Sequence, residues 1–183
     1  MEETIRTLGT LRARHFSVSL NAVRLRTGEL TERIKVDHPE AAAVLAFPDK
    51  DHILMVRQFR YAIGAETLEI PAGKVDPGET PQSCAGRELI EETGQRASRL
   101  FEIFNYYPAI GYANEIIRIF VASGLADIPG RDYSEISAVE TVEVARVHDM
   151  IMSGRIRDGK TVIGLSLFKA KMERGEIPDN FFV

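Results

Sequence analysis

The stretch from Gly73 to Gln95, GKVDPGETPQSCAGRELIEETGQ, constrains this chain more than any other. Asp76, Pro77 and Gly78 are turn residues and mark a loop. Thr80 can cap a helix whose first residue is Pro81, where the missing N–H costs nothing. Gly94 suits the left-handed position that ends it, so the spacing predicts a helix from Pro81 to about Thr93. Glu88, Glu91 and Glu92 fall at i, i+3 and i+4 and project from one face. Like charges so placed repel, and more strongly if half-buried. Two readings stand: a solvated acidic face, or a site where a cation offsets the repulsion. With oxygen ligands only, that cation would be hard and divalent, Mg²⁺ or Mn²⁺.

The spacing of the fixed residues bears on that choice. Five residues separate Gly73 from Glu79, and seven more lead to Arg87-Glu88, followed by Glu91-Glu92 and Gly94. This arrangement resembles the Nudix box, a 23-residue signature of hydrolases acting on nucleoside diphosphates linked to another group. Every fixed Gly, Glu and Arg is in place, and Gln95 departs from the usual aliphatic residue. VRQFRY at 56–61, ETLEIPAG at 66–73 and RIRDGKT at 155–161 resemble the ADP-ribose and nucleotide-sugar pyrophosphatase branch.

That resemblance implies metal ligation by Glu88 and Glu92, with Glu91 close by, and by the carbonyl of Ala72. It implies Glu79 and Arg87 as a supporting ion pair, and Gly73 and Gly94 as structural glycines. Glu135, in an acidic loop, is the candidate helper, as base or as a further metal ligand, with Glu91 and Glu88 as the helix alternatives. Arg57 and Arg60 could clamp a distal phosphate. Pro108 and Tyr112 could shape the pocket, and Phe16 could stack on a base. The implied activity is Mg²⁺-dependent hydrolysis (Mn²⁺ a possible substitute) of ADP-ribose or a related nucleoside diphosphate sugar. Dinucleoside polyphosphates, oxidised nucleotides, or a non-catalytic sensor on the same fold remain alternatives.

The 183 residues suit one domain or a domain with an extension. Hydrophobic residues at 44% can fill a core, and a net charge of −4 argues against nucleic acid as partner. No apolar run of 18 residues and no leader pattern is visible, and the single Cys84 excludes an internal disulfide, which together point to the cytoplasm and no membrane. Cys84 reads as a packing residue. His15, His38, His52 and His148 are scattered without metal-ligand spacing.

In residues 1–40, Phe16, Val18 and Leu20 alternate, as do Val23 and Leu25, with a turn at Thr27-Gly28. They predict an antiparallel meander that needs covering; the branch resemblance implies a homodimer, with this sheet exchanged between subunits. Ala41–Phe47 and Ile53–Tyr61 read as a hairpin of the central sheet. Further strands are expected at 66–70, 100–106, 115–121 and 139–144. A polar loop at 126–136 holds Asp127, Asp132 and Glu135, and helices are expected near 146–153 and 158–174. The expected class is α+β: a Nudix-type α/β/α sandwich with a mixed β-sheet over 41–183, plus the N-terminal meander over 1–40. Gly154 to Thr161 also fits GxxxxGK[ST], but too little chain follows for a phosphate-binding βαβ unit. Gly154 and Asp158 read instead as a helix stop and a helix start.

Overall fold

The computed structural model describes residues 1–129 and 135–182. It divides into two compact units: residues 1–40 with 106–117, and residues 41–105 with 118–183.

The first unit is a three-stranded antiparallel sheet of β1 (Glu3–Arg12), β2 (Ser17–Arg24) and β3 (Leu30–Asp37), in that order. Its β1 has no period-two signature, because Ile5, Leu8 and Leu11 recur every third residue. The register explains this: pairing with β2 shifts between Thr4 and Arg6 and again between Thr7 and Gly9. Each irregularity moves the side-chain alternation along by one residue. Segment 106–117 joins this unit through Tyr112, whose carbonyl accepts from Val36 N–H at 2.7 Å, and Asn114, which caps His38 N–H at 2.9 Å.

Among the described residues, the second unit holds two sheets and three α-helices. One sheet runs β7 (Ala72–Lys74), β4 (Ala41–Ala46), β9 (Ile117–Asp127), β8 (Gln95–Tyr106). The other runs β10 (Ile136–Glu143), β5 (His52–Arg60), β6 (Ala65–Glu69). The helices are α1 (Pro81–Thr93), α2 (Val144–Met152) and α3 (Gly159–Glu173).

The expected β4–β5 hairpin does not form. Every residue of β4 is buried, as are Ile53 to Val56 in β5, and each strand is flanked on both edges within its own sheet. The turn at 48–51 therefore crosses between sheets instead of closing a hairpin.

Alternation along β4 builds the layers. Ala42, Val44 and Ala46, with Phe120 and Ala122 of β9, pack on Cys84, Ala85 and Leu89 of α1. The intervening residues face α3: Phe47 stacks on Phe168 at 4.5 Å, and Leu45 and Ile119 approach Gly164. At Gly164 an added Cβ would sit 3.3 Å from Ile119 Cγ2, so a small residue lets helix and sheet meet closely. A helix thus covers each face of the sheet, the α/β/α arrangement expected. Fully burying Leu89 alone contributes about 1.5–3 kcal/mol.

Candidate active site

The box helix begins and ends where its residues dictate. Thr80 Oγ1 accepts from Ser83 N–H at 3.1 Å, Pro81 is the first helical residue, and Gly94 (φ 72°) donates its N–H to Ile90 at 2.8 Å. The face turned to the sheet carries Cys84, Ala85, Leu89, Glu92 and Thr93. Glu92 therefore takes a core position, at 8% exposure. Glu88 lies beside it, mostly buried, while Glu91 reaches further toward solvent.

All three carboxylates occupy the C-terminal half of α1, where the helix dipole also disfavours negative charge. Arg87 offsets part of the cost. Its guanidinium holds Glu79 with two bonds of 2.9 Å, Glu88 at 2.7 Å, Glu91 at 3.0 Å and the Lys74 carbonyl at 3.1 Å. That uses all five of its N–H donors. Glu79 also accepts from Asp76 N–H at 3.1 Å, so loop and helix are tied together. The Arg87 bond holds the Glu79 carboxyl below its usual range.

Glu92 has no cation in direct contact among the described residues; Lys160 and Arg60 act on it only from a distance. Among the described residues its direct partner is Ala72 N–H at 2.9 Å. Burial pushes its carboxyl up to about 8, and burial likewise raises that of Glu88. Gly73 explains how the loop passes so near: a Cβ there would lie 1.8 Å from Glu88 Oε1. Any side chain at Gly73 would push the Glu88 carboxylate away from its place against Ala72–Lys74.

This donor set fits a hard divalent cation. The buried Glu92 and the mostly buried Glu88 lie against the Ala72–Gly73 backbone, and Lys160 and Arg60 offset the electrostatic cost of Glu92 only in part. Among the described residues no three His, Cys, Asp or Glu side chains converge as a ready-made cage. Magnesium commonly binds through one or two carboxylates and retains water, so such a pair suffices.

The other expected site residues fall in several places. Arg57 and Arg60 lie on β5, already paired: Arg57 with Glu140 and, at 3.8 Å, Glu66; Arg60 with Glu69. Glu135, just before β10, accepts from Gln58 Nε2 at 2.8 Å. Asp132 lies outside the described residues. Phe16, Pro108 and Tyr112 belong to the first unit, where the Phe16 ring sits 5.8 Å from that of His38 and both Pro108 and Tyr112 are exposed. Gln95, the departure from the box pattern, bonds to Asp127 and joins the start of β8 to the end of β9. Cys84 is buried, and burial pushes its thiol up to about 12, as befits a packing residue.

Sequence reasoning missed Glu69 and Lys160. Glu69 is buried at 2% exposure and holds Arg60, Lys160 and Thr67. Its signal was a carboxylate flanked by Leu68 and Ile70 in an otherwise apolar run. An apolar cavity of about 530 Å³ lies between α2, α3 and Phe182 and contains none of the box residues. No helix among the described residues is long and apolar enough to cross a membrane.

An ADP-ribose pyrophosphatase from Bacillus subtilis (strain 168) is 39% identical over 153 residues, covering 81% of this chain and 82% of the relative. A methanol dehydrogenase activator from Bacillus methanolicus is 35% identical over 167 residues, 90% of each. The crystal structure of an ADP compounds hydrolase shares the fold, with a TM-score of 0.79 at 22% identity, covering 96% of this chain and 98% of that one. Residues 37–162 match the NUDIX domain, with the glutamate helix and its glycine-bearing loop inside the match, and the chain belongs to that family.

Proposed function

We propose that this chain is a pyrophosphohydrolase that cleaves ADP-ribose or a related nucleoside diphosphate sugar into a nucleoside monophosphate and a sugar phosphate, with Mg²⁺ as its ion. The observation that carries this reading is Glu92, buried beside Glu88 against Ala72 and Gly73 with no cation in direct contact among the described residues. The substrate class follows the likeness to the Bacillus subtilis ADP-ribose pyrophosphatase. When bound, a divalent ion would neutralise phosphate charge and lower the pKa of a water ligand. Glu88, Glu92 and the Ala72 carbonyl would hold it. Arg87 and Glu79 fix the loop against the helix, and Arg60 presents positive charge at the end of β5.

A substrate panel with Mg²⁺ tests this, with ADP-ribose, GDP-sugars, dinucleoside polyphosphates and oxidised nucleotides resolved as monophosphate products. Turnover of ADP-ribose or a nucleotide sugar is expected. Tight binding of such a ligand without turnover would favour the second reading, a non-catalytic sensor, which the likeness to an activator protein keeps in view.

Glu135 is the proposed residue that positions or deprotonates water, and Gln58 holds it at 2.8 Å. Glu135→Gln should then lower kcat while KM stays within a few-fold, because the lost interaction belongs to the transition state. If kcat survives in Glu135→Gln and is lost in Glu91→Gln, the base lies on the helix.

The first unit exposes Ile5, Leu8, Leu11, Leu30 and Ile34 on its strands. A second copy covering them in a homodimer is proposed as the functional state, in the cytoplasm. A monomer in sedimentation at micromolar concentration would count against it.

A further inference from the structure

The Gly159-Lys160-Thr161 run, which mimics a phosphate-binding loop in sequence, has another use in the fold. Asp158 caps α3: its Oδ2 accepts from Thr161 N–H at 3.0 Å and from Thr161 Oγ1 at 2.6 Å. Thr161 Oγ1 in turn accepts from Ile70 N–H at 3.0 Å, which pins the end of β6 just ahead of Ala72 and Gly73. Lys160, at 7% exposure, turns inward and donates to both Glu69 and Asp158, the latter at 3.0 Å.

Glu69 does not need this lysine to be satisfied. Arg60 already grips it with two bonds, Nε to Oε1 at 2.8 Å and Nη2 to Oε2 at 2.5 Å, and Thr67 donates as well. A second buried cation on a satisfied carboxylate is costly to desolvate and a poor route to stability. Its effect is on charge. One Glu69 carboxylate is divided between two cations while Asp158 draws on Lys160, so in its direct contact Arg60 meets only part of the Glu69 charge, with Asp158 and Glu92 acting on it from further off. Nη1 of Arg60 has no partner among the described residues, and its side chain is 40% exposed. The two cations are matched by two anions, Glu69 and Asp158, and both Arg60 and Lys160 act electrostatically on the Glu92 carboxyl, so the cationic end of this chain of charges borders the box.

We propose that Lys160 is a positioning residue: by sharing Glu69 with Arg60 it leaves the Arg60 guanidinium charge for the pyrophosphate of the substrate. This rests on the pyrophosphohydrolase reading above. Lys160 does not touch the substrate; it acts through Glu69 on Arg60.

Two variants change the sharing in opposite directions. Lys160→Met removes the competing cation, so Glu69 neutralises Arg60 more fully. Asp158→Asn keeps a capping oxygen for Thr161 N–H but removes the anion that draws on Lys160. Lys160 then compensates Glu69 more fully and leaves Arg60 more of its charge. The readout is calorimetric binding of the α,β-methylene analogue of ADP-ribose in Mg²⁺, alongside KM and kcat. Lys160→Met should weaken analogue binding and raise KM by about tenfold, with kcat within a few-fold. Asp158→Asn should tighten analogue binding by about two- to fivefold. A purely structural role has no reason to give that second result. Unchanged analogue binding in a folded Lys160→Met protein overturns the inference. If Lys160→Met does not fold, Asp158→Asn decides alone, and unchanged or weaker binding overturns it. A wild-type protein that binds no pyrophosphate analogue overturns the functional reading and this inference together. Wild-type binding that ignores both substitutions overturns this inference alone.

Discussion

Glu92→Gln should lower turnover by on the order of 10²–10⁴, the scale of losing one key catalytic group. The same substitution should stabilise the metal-free protein. Burial pushes the Glu92 carboxyl up to about 8 from an ordinary value of 4.5. Between those two pH values the folded chain binds more protons than the unfolded chain, so stability falls as pH rises. The contribution of protonated Glu92 is complete below about pH 4.5 and is lost as pH rises through 8. Glutamine mimics the protonated form and can still accept from Ala72 N–H. Thermal unfolding in chelator should therefore show Glu92→Gln melting above wild type at pH 8–9, with the gap closing toward pH 5. Saturating Mg²⁺ should reverse the order, because the ion stabilises only the protein that binds it tightly. A variant with near-normal Mg²⁺-dependent turnover would remove Glu92 from the site.

Arg87→Met is the largest expected loss of stability. Arg87 is the hub for Glu79, Glu88, Glu91 and the Lys74 carbonyl, and its side chain is 30% exposed. Removing it leaves three carboxylates without their cation, two of them largely buried. Breaking a buried pair costs about 3–5 kcal/mol, and partial solvent access lowers that to on the order of 2–4 here. For a chain of this size the loss is about 5–12 °C in Tm. Arg87→Lys should recover only part of it, since an ammonium cannot make the bidentate grip on Glu79. Equal melting temperatures for Arg87→Met and wild type would mean that the loop is not held by this network.

The box was legible because its chemistry is local. Thr80, Pro81 and Gly94 define a helix by capping and backbone preference alone, and the three glutamates acquire a common face from helical geometry. The start of α3 at Asp158 was legible for the same reason. Pairing between strands was not. β4 and β5 are both buried on two faces, and a continuous apolar run carries no information about which edge meets which neighbour. β1 escaped because two shifts of register destroy its alternation. The joining of residues 106–117 to the first unit depends on backbone bonds between Val36 and Tyr112 or Asn114 that no side-chain pattern announces. Lys160 and Glu69 read in sequence as two ordinary charged residues 91 positions apart, and only folding buries them together. Arg57 and Arg60 were legible as cations on a strand, but their partners Glu140, Glu66 and Glu69 were not.

The central claim is that Glu88 and Glu92 hold a divalent ion, and a Mn²⁺ titration followed by the electron paramagnetic resonance of the free ion tests it without any substrate. Wild type is expected to deplete the free signal saturably, and the Glu88→Gln/Glu92→Gln double variant to bind at least about tenfold more weakly. Equal depletion by wild type and the double variant would contradict the account.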